Sequence, residues 1–192
     1  TQNHCYTQPF FRLLNKDCFL AIKEIEDNSI DLIVTDPPYG TKTNPRDTFM
    51  IGEFSNVMPL VLPEIFRVLK KDGGFYCFTS WSMMSDWLLR YQQYFKLQNI
   101  IVWDKQKIGM GAWLRMQCEF CVIGIKGKPY WDNTTYRDVL SEARREHSRK
   151  PDGFFDMVDA ITMGRKLEYF SREKRNGWEV FGNDTGKFDK WS

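Results

Sequence analysis

The chain has almost no excess of either charge. Its 192 residues carry 27 Lys and Arg against 25 Asp and Glu, a net charge of +2. This excludes a surface that is basic all round, so any grip on phosphates has to be local. Histidine is scarce: only His4 and His147 could join the C-x-x-C pair Cys118 and Cys121, and they lie far from it in the chain. No metal is expected. No apolar run approaches the ~20 residues of a membrane span. The first residues lack the basic start and apolar centre of a signal peptide. The five cysteines are an odd number and four of them sit in apolar patterns, which fits reduced, buried thiols of a cytoplasmic protein. Repeats, low-complexity stretches and linkers are missing too. The expectation is a single domain over residues 1–192, long enough to bury a sizeable core.

What is present is an alternation of strand-like and helix-like segments. It predicts an α/β domain with a mainly parallel sheet. Strands are expected at 11–15, 31–35, 75–79, 97–103, 118–125, 166–170 and 178–181. Helices are expected at 18–26, with Leu20, Ile22 and Ile25 inward, and at 55–70, 83–94 and 151–163. Lys71-Asp72-Gly73-Gly74 reads as a helix stop and turn. Residues 133–147 are polar and show no assignable element. Aromatic residues reach 16%, which suits either a core rich in Phe and Trp or a set of stacking surfaces. Two segments are locally basic: Lys105, Lys107 and Arg115 in one, and Arg144, Arg145, Arg149 and Lys150 in the other. The bland alternative for both is a solvated face.

In an open parallel sheet, ligands gather beyond the carboxyl ends of the strands. The polar residues at those ends are Asp17, Asp36, Ser80, Arg172 and Asn183, and one crevice can hold them all. The sharpest signal is Asp36-Pro37-Pro38-Tyr39, which closes a buried apolar strand and is followed by Gly40. Two successive prolines stiffen the backbone and stop a helix from starting. Asp36 and the Pro37 carbonyl are thereby presented as rigid acceptors. A base NH₂ group needs two such acceptors if its nitrogen lone pair is to be aimed at a methyl group, and Tyr39 can stack on the base. The competing reading is a plain turn whose Asp makes a local bond.

This motif resembles that of the amino-methyltransferases. The run N-K-D-C-F-L-A-I-K-E-I-E-D-N-S-I-D-L-I-V-T-D-P-P-Y-G, from Asn15 to Gly40, looks like the opening of bacterial and phage DNA adenine methyltransferases of the beta arrangement. The last third, with S-R-K-P-D-G-F-F-D-M-V-D-A, R-K-L-E-Y-F-S-R and G-W-E-V-F-G-N, resembles the messenger-RNA adenosine methyltransferases and their phage DNA relatives. The resemblance implies a circularly permuted, Rossmann-like methyltransferase fold with a seven-stranded sheet. It implies S-adenosylmethionine as cofactor, with catalysis by Asp36, Pro37, Pro38 and Tyr39. It places Asp17 and Asp36 beside the cofactor, Lys150 on the cofactor carboxylate, and Phe170, Arg172 and Asn183 around the adenosine. Lys166-Leu167-Glu168-Tyr169-Phe170 stands where most beta-arrangement enzymes have a glycine-rich stretch.

The expected activity is methylation of the N(6) amino group of adenine in DNA. Cytosine N(4), RNA, or a catalytically silent nucleic-acid-binding subunit are the alternatives. The base must leave its stack to reach Asp36. Lys42, Arg46, Lys105, Lys107 and Arg115 are the expected nucleic-acid contacts, within segments 41–53, 105–116 and 131–147. The expected setting is the cytoplasm of a bacterial or phage-infected cell, with a second copy or partner subunit helping recognition.

Overall fold

Strand β2 (Ile30–Thr35) is apolar on both of its faces because both faces of the sheet around it are covered by helices. Seven further strands join it: β1 (Leu13–Leu14), β3 (Leu69–Thr79), β4 (Lys96–Asp104), β5 (Cys118–Ile125), β6 (Val139–Ser141), β7 (Lys166–Tyr169) and β8 (Trp178–Phe181). The computed structural model describes residues 13–14, 18–37, 61–111, 113–128, 135–146, 149–169, 171 and 173–181. The sheet order is β1-β8-β7-β2-β3-β5-β4-β6. Every neighbouring pair is parallel except the two made by β5, which runs against β3 and β4.

The helices are α1 (Cys18–Lys23), α2 (residues 61–68), α3 (Met84–Tyr91) and α4 (Asp152–Ile161), with one 3₁₀ turn at Trp81–Met83. Alternation along the strands divides the core. Ile33, Phe75, Cys77 and Leu167 face α1, α2 and α3, where Ala21, Ile22, Leu62, Ile65, Trp87 and Tyr91 meet them. Leu32, Val34, Tyr76, Phe78 and Val180 face α4, which supplies Phe154, Phe155, Met157 and Val158. The result is three layers, helix on sheet on helix. Phe75 and Tyr91 stack with ring centroids 5.0 Å apart. Gly124 of β5 makes room for this, since a Cβ there would lie 2.8 Å from both Tyr91 and Phe95.

The expected α/β, mainly parallel sheet is present, and all seven expected strands are in it. The eighth strand, β6, lies in the polar stretch that shows no pattern in sequence. Its three residues are held by pairing to β4, with Val102 N–H donating to Asp138 O at 2.7 Å and Glu142 N–H to Asp104 O at 3.1 Å. Two local expectations are corrected. Leu20 is exposed, because the short α1 turns Ala21 and Ile22 to the sheet instead. Lys71 to Gly74 is not a turn after a helix but an irregular part of β3, where the register with β2 shifts between Ile30 and Leu32. Asp72 there takes a φ of 69°, and its N–H donates to Lys126 O. Helix α2 stops earlier, capped by the Lys126 ammonium, which donates to Phe66 O and Leu69 O at 2.6 Å each.

Candidate active site

Strands β2 and β7 are neighbours whose onward connections leave in opposite directions, β2 toward β3 and β7 toward β8. Such a switch point opens a crevice at the carboxyl ends. Asp36 follows β2 into this crevice, and Pro37 after it is buried and has no N–H with which to extend the ladder.

Two other elements bring charge to Asp36. Lys150 Nζ lies 3.0 Å from Asp36 Oδ1 and 2.7 Å from Glu119 Oε2. Lys105 Nζ reaches Glu119 Oε1 at 3.3 Å. The Lys150 side chain is 8% exposed, and its ammonium sits 4.6 Å from the Phe78 ring centroid. Its direction is set by the loop before α4. The carboxylate of Glu142 accepts from the N–H groups of Asp152 at 3.0 Å and Gly153 at 2.9 Å, satisfying donors at the start of that helix. Glu142 O also accepts from Trp103 Nε1 at 2.8 Å, which ties the loop to β4. Pro151 is extended at φ −67° and ψ 140°, so Lys150 stands outside the helix and its side chain runs inward.

Burial alone would lower the Lys150 pKa. The carboxylates of Asp36 and Glu119 outweigh it and hold the ammonium above the ordinary lysine value. Burial likewise pushes Glu119 up, but Lys150 and then Lys105 bring it below the ordinary range. Lys150 and Glu119 are therefore both charged throughout the neutral range. Glu168 behaves oppositely. Burial raises it from the usual 4.5 to about 8, with Arg175 offsetting only part, so it is largely protonated near neutrality. It stands on β7 opposite Val34, and its Oε2 is buried without a hydrogen-bond partner. The thiols of Cys77 and Cys121 are pushed well up by burial and stay protonated, so neither is a ready nucleophile.

Of the residues singled out in the sequence, Asp36, Pro37, Lys150, Lys105, Lys107 and Arg115 are described, and the first four lie at or beside the crevice. Asp17, Pro38, Tyr39, Lys42, Arg46, Phe170, Arg172 and Asn183 fall outside the described residues. Lys105 is turned inward to Glu119, while Lys107 and Arg115 are exposed. In the second basic segment Arg145, Arg149 and Lys150 are engaged by carboxylates, while Arg144 is exposed. Arg145 pairs with Asp152 at 2.6 Å, and Arg149 reaches Glu146, Asp152 and Glu173. Glu119 is the residue that the sequence hid. It stands near the start of β5, which is an internal strand between β3 and β4. Its signal was an acid opening an otherwise apolar strand. Among the described residues no group of three metal-ligating side chains converges.

The profile of the N6_N4_Mtase family, described as DNA methylase, matches residues 30–183, from the start of β2 to past the end of β8. The chain belongs to this DNA methylase family. The N(6)-adenosine-methyltransferase MT-A70-like protein of Arabidopsis thaliana is similar to this chain, 41% identical over 76 residues, which is 38% of this chain and 11% of that protein. The chain thus spans about a tenth of the length of that relative. TTHA0409 of Thermus thermophilus, a DNA modification methylase by its description and solved complexed with S-adenosyl-L-methionine, aligns with a TM-score of 0.71 at 18% identity. The alignment covers 93% of this chain and 90% of that one. The PvuII DNA methyltransferase, cytosine-N4-specific, aligns with a TM-score of 0.73 at 12% identity, over 88% of this chain and 80% of its own. At these identities the two structures speak for the fold, a Rossmann-like α/β sheet.

Proposed function

We propose that this protein transfers a methyl group from S-adenosylmethionine to the exocyclic N(6) of adenine in DNA. The observation that carries the reading is Asp36, followed by Pro37 and held by Lys150, which Glu119 holds in turn, at the switch point of the sheet. The residues present suit a cofactor that brings both cationic groups and a carboxylate. The Asp36 and Glu119 carboxylates are balanced by Lys150 and Lys105, so the cluster offers both an acceptor and a donor, and the buried Glu168 Oε2 has no hydrogen-bond partner. The cofactor, when bound, supplies an electrophilic methyl group on its sulfonium sulfur. Asp36, Lys150 and Glu168 are the described residues that would lie against it, with Asp17, Phe170, Arg172 and Asn183 expected to complete the pocket.

Asp36 and the Pro37 carbonyl accept the two N–H bonds of the flipped adenine and turn its lone pair away from the ring. The Asp36 charge then stabilises the positive charge that develops on nitrogen, and the surplus proton leaves to solvent. Lys150 fixes Asp36, and Glu119 fixes Lys150. The gain is one of positioning and electrostatics, with no covalent intermediate. Adenine is favoured by the N(6)-adenosine relative, and DNA by the family profile that spans most of the chain.

The test is to incubate the protein with S-adenosylmethionine carrying an isotopically labelled methyl group and unmethylated DNA, digest to nucleosides and weigh the products. Labelled N(6)-methyldeoxyadenosine is expected. Labelled N(4)-methyldeoxycytidine would overturn the choice of base, and label entering RNA alone would overturn the choice of DNA. No transfer to either would overturn methyl transfer itself.

A further inference from the structure

The segment between β4 and β5 rises from the same edge of the sheet as Asp36, and its side chains point the wrong way for a core. Trp113 is 98% exposed, and Ile108, Met110 and Leu114 beside it are exposed as well. Trp81, just beyond the carboxyl end of β3, is 66% exposed and joins them, its Nε1–H donating to Met116 Sδ at 3.0 Å. The backbone holds this shape without those side chains. Lys105 N–H donates to Gln117 O at 3.1 Å and Gly109 N–H to Met116 O at 2.6 Å. Gly111 packs so tightly that a Cβ would fall 1.9 Å from Leu114 O.

The charge of the segment is one-sided. K-Q-K-I-G-M-G-A-W-L-R-M, residues 105–116, contains three cations and no acid. Its root is Lys105, which pairs with Glu119, which pairs with Lys150 and so with Asp36. The surface is thus continuous with the reaction centre.

A cluster of exposed apolar and aromatic side chains marks a contact surface. Exposed indole faces beside cations, with no anion among them, suit a polyanion that also offers flat π surfaces, which is an unpaired nucleic-acid strand. We infer that Trp113 and Trp81 form a stacking platform for the DNA bases that flank the methylated one, with Lys107 and Arg115 on the adjoining phosphates. This rests on the reading of the site as a DNA base methyltransferase, and assigns to the same site the surface that positions its substrate.

The experiment uses a fluorescein-labelled single-stranded oligodeoxynucleotide with one adenine among thymines, at saturating S-adenosylmethionine. Wild type, Trp113→Ala, Trp113→Phe and Trp81→Ala are compared for affinity, indole quenching and methyl transfer. The exposure of both indoles makes these variants safe for folding. Loss of one stacked base is expected to weaken binding about five- to 150-fold in Trp113→Ala, with most affinity restored in Trp113→Phe and S-adenosylmethionine affinity unchanged. Equal affinity in wild type and Trp113→Ala, with transfer intact in both, would overturn the platform alone. A wild type that sediments as a dimer and a Trp113→Ala that sediments as a monomer, with DNA affinity unchanged, would make the surface a protein interface and overturn it too. A wild type that binds no oligonucleotide and methylates none overturns both the platform and the reading it rests on.

Discussion

Lys150 and Glu119 meet at 2.7 Å although 31 residues separate them in the chain. Lys150 comes from the loop before α4 and Glu119 from the first residues of β5, and their pairing is what carries positive charge to Asp36. Replacing Lys150 by Met removes the cation that two partly buried carboxylates share and leaves Glu119 to Lys105, at a cost of about 3–5 kcal/mol. Lys150→Met combined with Glu119→Gln is expected to recover a large part of that stability and none of the turnover. Urea denaturation and a methyl-transfer assay on the same three proteins would separate the two effects. Full recovery of turnover in the double variant would show that Lys150 is only structural.

Asp36→Asn keeps the shape and removes the charge. Turnover should fall about 100-fold or more, the scale of losing one group that stabilises charge in a transition state. Affinity for S-adenosylmethionine, read by calorimetry, should change far less. A variant with near-normal turnover would place the reaction centre elsewhere.

Glu168 makes stability depend on pH in the sense opposite to a paired carboxylate. Its pKa is raised from the usual 4.5 to about 8, so between those values the folded protein holds a proton that the unfolded chain has lost. Stability contributed by this group is full below about pH 4.5 and declines as pH rises toward about 8. Glu168→Gln should flatten that part of the stability profile in urea titrations run at several pH values. An unchanged slope would mean that Glu168 is ionised in the fold.

Gly124→Ala inserts a Cβ 2.8 Å from Tyr91 and Phe95. The stacked Tyr91 and Phe75 rings must shift, at about 1–3 kcal/mol. A fall in the urea midpoint with intact far-ultraviolet dichroism is expected, and an unchanged midpoint would show that α3 yields without cost.

Salt dependence should distinguish the cations between β4 and β5. Each of Lys107 and Arg115, both exposed, should contribute about 0.7 to the slope of log affinity against log salt for a single strand. Lys105 should contribute less, because its ammonium is spent on Glu119. Equal losses of slope from Lys105→Ala and Lys107→Ala would contradict that division.

The sequence by itself determined the class of fold and marked the candidate reaction centre. Strand β2 is legible because five of its six residues are apolar or β-branched, with a single Asp among them, and Asp36-Pro37 is legible because proline has no N–H with which to extend the ladder. Helix α4 is legible from the spacing of Phe154, Phe155 and Val158 and from Pro151 before it. These are local signals, carried by neighbours in the chain. Only the tertiary structure decided what surrounds Asp36. β6 is three residues long and exists because β4 offers it an edge. Glu119 becomes internal because β5 inserts against the direction of its neighbours, and Lys150 turns inward because Glu142 caps the helix that follows. Each of these depends on partners far away in the chain, and the periodicity of a segment records its own faces but not which distant charge will meet it.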